Sequence, residues 1–203
     1  MSFVHWLVIL SAVISILGFL SYTKDTLLGK SKQNRVTYFM WALSPLLGAT
    51  IAISAHADLW ATSRVFLAGF MPVIIFVASF ANSKGYWKLT KFDFLCGACS
   101  LLAVILWLFA HSPLIAILLA ILGDAFAAVP TLVKLWKFPE SETGLFYLAD
   151  FFATILILPS ITVWNIQNSA FQIYLLLIDA LLFIPIYRKK LFFGKKFTQI
   201  NKI

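Results

Sequence analysis

Along this chain the apolar residues come in near-continuous blocks, with few polar positions inside a block and no alternation that would give a segment one wet face and one dry one. A bilayer core about 30 Å thick takes roughly 20 apolar residues per helix, so blocks of that length predict membrane spans. Seven are predicted, at 3-21, 37-56, 62-81, 92-110, 112-131, 145-164 and 170-187. They take up almost the whole chain and leave only short links. Lipid offers the backbone no hydrogen-bond partner, so each block must bond within itself as a helix. The expected fold class is an all-α membrane protein, one transmembrane domain over 1-203. The first block starts without Lys or Arg and shows no small-residue cleavage site, so it is expected to stay as a helix and not to leave as a signal peptide.

Composition agrees: 62% of the residues are hydrophobic and 12% charged. A net charge of +8 would point a soluble protein toward nucleic acid, but here the positions of the positives give them another meaning. Lys24, Lys30, Lys32 and Arg35 follow the first span, Lys84, Lys88 and Lys91 the third, and Lys134 and Lys137 the fifth. Arg188, Lys189, Lys190, Lys195, Lys196 and Lys202 follow the seventh, so that fifteen of the sixteen Lys and Arg residues fall on one side and only Arg64 on the other. By the positive-inside rule the N-terminus is expected outside and the C-terminus in the cytoplasm, as an odd number of spans requires. The basic tail 188-203 reads as a topology anchor that can also lie on anionic lipid. The expected partners are the bilayer and a small solute, with no nucleic acid and no cofactor, in a membrane of the bacterial inner or organellar type. Assembly of copies into a homo-oligomer is left open.

Sliding the chain on itself by 107 residues lays span one on span five, two on six and three on seven without a gap, and leaves span four alone. The register pairs Leu7 with Leu114, Phe19 with Phe126, Leu28 with Leu135, Lys30 with Lys137, Phe39 with Phe146 and Ala42 with Ala149. Two three-helix repeats, 3-81 and 112-187, joined by a linker helix at 92-110, would have parallel orientation, because an odd linker turns the second unit back the same way. Transporters built of parallel repeats place their solute site near the midplane, where the halves meet.

The end of span five and the loop after it, "VPTLVKLWKFPESETG", is similar to a Pro-Gln helix end followed by a basic, Ser-containing loop and a Gly before the next helix. With the three-one-three layout, this resembles the PQ-loop family, which includes the SWEET sugar transporters, the lysosomal cystine transporter and, more distantly, the KDEL cargo receptor. Pro130 stands at the family's proline, Thr131 replaces its glutamine, and Thr23 and Lys24 replace the dipeptide in the first copy. The resemblance implies a multi-pass transporter with proline hinges for alternating access and, in some members, proton coupling.

Three acids lie at membrane depth: Asp124 in span five, Asp150 in span six and Asp179 in span seven. An ionised carboxylate at a helix centre costs about 2.5-3.5 kcal/mol on insertion scales, so three of them call for a cavity, a partner or a proton. No Lys or Arg lies at membrane depth to pair them, Arg64 being at the outer end of span three. They are therefore the candidate substrate-binding and proton-coupling groups, against a plainer reading as interhelical hydrogen-bond glue. Gln172 lies two turns before Asp179 on one face, and Trp41, Pro45 and Gly48 share a face of span two. Pro45, Pro72 and Pro130 are the candidate hinges, since each removes a helix hydrogen bond. Gly48 with Ala52, and Gly123 with Ala127, are small-residue pairs suited to packing. Cys96 and Cys99 form a lone pair in span four without the further ligands zinc needs, and His5, His56 and His111 are scattered, so no metal is expected. A receptor or scaffold on the same fold is the alternative function. "LGD" at Asp124 and "LAD" at Asp150 raise a remoter one, an intramembrane aspartyl protease, but the Pro-Ala-Leu element of that group is absent and the protein is read as a non-enzyme.

Overall fold

A computed structural model describes residues 3-54, 59-84, 86-161 and 164-193, so His56 and the basic tail from 194 onward lie outside the described residues. Seven α-helices follow one another: α1 Phe3–Leu27, α2 Arg35–Ser54, α3 Leu59–Ala81, α4 Lys91–Leu108, α5 Pro113–Lys137, α6 Gly144–Ile157 and α7 Ile166–Phe193. Short 3-10 turns cover Pro139–Ser141 and Leu158–Ser160. No strand occurs among the described residues, and one isolated parallel bridge joins Gln33 to Tyr86. Among the described residues four helices are long and apolar enough to cross a membrane: α1, α4, α5 and α7. The protein is a multi-pass helical membrane protein.

The helices overrun or fall short of the apolar blocks for physical reasons. α1 and α5 continue past the expected ends at 21 and 131 to Leu27 and Lys137, because polar residues at a membrane surface remain good helix residues. Gly29, at φ +70°, then stops the first overrun: the left-handed conformation is open to glycine and lets Gly29 and Lys30 donate back to Thr26 and Asp25. α6 is shorter than expected, since Pro159 allows only a 3-10 turn after Ile157. Pro130, expected at a helix end, is buried inside α5 with seven residues beyond it. Near the break the Ala127 carbonyl accepts a hydrogen bond from Thr37 Oγ1 at 2.7 Å, and Thr131 donates to that same Thr37 at 3.0 Å. A second helix thus supports the turn the proline weakens.

α3 packs on α1 and α2, and α7 packs on α5 and α6; between these groups α1 lies on α6 and α2 on α5, while α4 lies on α5 and α2. The core at the junction gathers Phe19, Tyr22, Tyr38, Ile75, Leu135, Phe146, Tyr147 and Leu182. The helix boundaries do not share one offset: the starts of α3 and α7 are 107 residues apart, the starts of α2 and α6 109, and the ends of α1 and α5 110. Tyr38 and Tyr147, also 109 apart, meet hydroxyl to hydroxyl at 3.3 Å.

Candidate functional site

The structure draws Asp124, Asp150 and Asp179 toward one another from α5, α6 and α7. Asp179 on α7 is buried and within electrostatic reach of both Asp150 and Asp124. Asp150 accepts a 2.7 Å hydrogen bond from Ser15 Oγ of α1, and Asp124 accepts one of 2.7 Å from the Tyr174 hydroxyl of α7. Trp41 on α2 faces Asp124. Asp179 Oδ2 is buried without a partner. Two of the acids are thus held by neutral hydroxyls and the third is left open. Gln172 is half-buried on α7, and no hydrogen bond ties it to the carboxyls. Pro45 and Pro72 lie inside α2 and α3, and Pro185, which hydropathy alone did not single out, inside α7.

Toward the face where the basic loops gather lies a second polar centre that hydropathy did not reveal. Lys134 near the end of α5 pairs with Glu142, and both side chains are almost wholly buried, at 1% and 0% exposure. Tyr22 of α1 donates to the other carboxylate oxygen of Glu142, which also accepts from Tyr147 at 3.3 Å. Lys134 Nζ donates further to the Lys32 carbonyl at 2.6 Å. Around this pair, Thr143 donates to Ser31 and, through its hydroxyl, to Asp25 at 2.8 Å, and the Lys32 amide donates to the Ser141 carbonyl at 2.7 Å. Every one of these bonds joins the segment 22-32 to the segment 134-147, except those of Glu142 to Lys134 and Tyr147. The result is a bolt across the junction, with the aromatic faces of Tyr22, Tyr38 and Phe146 packed at 5.3–5.5 Å between ring centroids. A buried carboxylate and ammonium are tolerable only when paired and hydrogen-bonded, and here each has its charged partner and at least one further bond.

A third polar centre fastens α4. Asn34 caps α2, accepting from the Val36 and Thr37 amides, and donates to buried Asp93 Oδ1 at 2.7 Å. Asp93 closes a capping box with Thr90 at the start of α4. Farther along, Ser100 Oγ donates to the Gly123 carbonyl at 2.6 Å, so Gly123 and Ala127 serve α4–α5 packing as their spacing implied. Cys96 and Cys99 both remain thiols. Among the described residues no group of His, Cys, Asp and Glu could hold a metal ion.

Two apolar grooves mark the surface, of about 420 and 410 Å³; neither is lined by Asp124, Asp150 or Asp179. No protein-family model, curated protein or solved structure matches the chain.

Proposed function

We propose that this chain is a seven-span membrane transporter of a small polar solute that works by alternating access and is coupled to protons. In this reading spans 1-3 and 5-7 form two parallel three-helix units around a pseudo-twofold axis, span four is the linker, and the N-terminus is outside. The packing pattern supports it: exchanging α1, α2, α3 for α5, α6, α7 turns each contact among these six helices into another that is present, including the cross-unit pairs α1 with α6 and α2 with α5, while α4 packs on α5 and α2. The PQ-loop resemblance of the segment around Pro130 points the same way.

The observation that carries the reading is the carboxyl group of Asp179, buried with one oxygen unpartnered and in reach of two further acids on neighbouring helices. Three carboxyls gathered from three helices, with no Lys or Arg between them, suit a site that exchanges a proton for a polar solute better than structural glue does. The test is uptake by liposomes holding the purified protein, over sugars, amino acids and organic cations, with and without a pH gradient. Asp179→Asn keeps the shape and loses the charge, so transport should persist while the effect of the gradient disappears. Unchanged pH dependence in Asp124→Asn, Asp150→Asn and Asp179→Asn alike would rule out coupling through these acids.

One observation favours a receptor or scaffold instead: the bolt of Lys134, Glu142 and Tyr22 ties both groups of helices at one face with buried, charge-assisted bonds. Solute binding by the wild type without any flux would establish that reading.

A further inference from the structure

The larger surface groove runs between α2, α3 and α4, away from the carboxyls. Phe39, Phe80, Phe94 and Leu101 line it and are 42–61% exposed, so it opens outward to the surroundings of the helices, which in a membrane means acyl chains. One end carries charge. Arg35 lines the groove there, and its guanidinium is held in place by bonds of 2.9 and 2.8 Å to Ser79 Oγ and the Ser79 carbonyl. It lies 3.9 and 4.0 Å from the ring centroids of Phe80 and Tyr86. Two of its five N–H donors are used in this way, and three remain for a ligand. Lys88 and Lys91, both exposed, flank Leu89 and the start of α4 at the same end. From Lys91 to Leu101 the helix rises about 15 Å, the hydrocarbon depth of one leaflet.

We propose that this groove binds one phospholipid with an anionic headgroup, its acyl chain along α2, α3 and α4 and its phosphate on Arg35, Lys88 and Lys91. An apolar trough of leaflet depth fits any acyl chain; a fixed arginine with two flanking lysines at its mouth, and no exposed acid beside them in the run Ser79–Phe92, selects a negative headgroup. The occupancy would hold the linker helix against α2 and α3 beside the Asn34–Asp93 bond. It is independent of whether the protein moves a solute.

The test uses the full chain purified in a neutral detergent, with phosphatidylglycerol and phosphatidylcholine of matched acyl chains, read by native mass spectrometry and thermal shift. One phosphatidylglycerol per chain should be retained, at least tenfold more tightly than phosphatidylcholine. Ala98→Trp fills the groove and should abolish retention of both. Lys88→Gln with Lys91→Gln leaves the helices untouched and should weaken phosphatidylglycerol about thirtyfold, on the contribution of a lysine near an anionic surface. Equal binding of the two lipids, or unchanged phosphatidylglycerol affinity in the lysine variant, would overturn the proposal. So would a lipid-free dimer that Ala98→Trp dissociates, since a second copy would then be the occupant. If Ala98→Trp does not fold, the lysine variant alone decides.

Discussion

The buried bolt gives the sharpest quantitative prediction. Lys134→Met removes the ammonium and leaves the Glu142 carboxylate buried with only tyrosine hydroxyls to stabilise it. Breaking one side of a buried pair costs about 3–5 kcal/mol, because the remaining charge keeps its desolvation penalty and loses its partner. A chain of this size shifts its melting temperature by about 2–4 °C per kcal/mol, so the single variant should melt roughly 10 °C below wild type in detergent. Glu142→Gln should do comparable harm by leaving Lys134 with the Lys32 carbonyl as its remaining recorded acceptor. The double variant buries no charge, and its glutamine still accepts from Tyr22. It should therefore recover at least half of either loss, a coupling of about 4.5 kcal/mol or more in the double-mutant cycle. Thermal unfolding followed by tryptophan fluorescence measures all four proteins. Losses that simply add, to within about 0.5 kcal/mol, would show that the two charges do not depend on each other and that the bolt is an incidental contact.

Close helix approach can be tested at glycines in the same assay: a Cβ at Gly69 would meet the Leu46 amide nitrogen at 2.9 Å and the Ala42 carbonyl at 3.0 Å, whereas one at Gly48 would find nothing nearer than 3.7 Å. Gly69→Ala should therefore destabilise by about 1–3 kcal/mol and Gly48→Ala should leave the melting temperature unchanged; equal effects would contradict the α2–α3 packing. For orientation, reporter fusions should place the C-terminus in the cytoplasm and the N-terminus outside, from the loop bias of fifteen positives to one; a cytoplasmic N-terminus would end the seven-span proposal.

What could be read in the sequence follows from how strictly lipid constrains it. Helices had to lie where apolar residues run on, and the structure places one on each of the seven blocks; the acids stood out because each is expensive at that depth. Helix ends were less legible, since hydropathy marks where lipid stops and the helix continues through Tyr22, Thr23 and Lys24 on α1 or Lys134 and Lys137 on α5. The letters alone fixed the internal register poorly, because most of the matches were Phe and Leu, which recur at random in such a chain. Phe39 is 48% exposed and its supposed counterpart Phe146 is 9% exposed, so the two do not share an environment. The pair that does is Tyr38 and Tyr147, two residues out of that register and joined through their hydroxyls. The bolt was invisible for a different reason. Lys134 counted as one more positive in a basic loop and Glu142 as one more loop acid, and the positive-inside rule reads such charges as solvated. Burial reverses that meaning: once α1 brings Tyr22 against the turn at Pro139–Ser141, the two charges lose water and have only each other, the Lys32 carbonyl and the tyrosines. A polar residue at the end of a span is therefore ambiguous in sequence between an anchor and a lock, and only the packing of a distant helix over it decides which of the two it is.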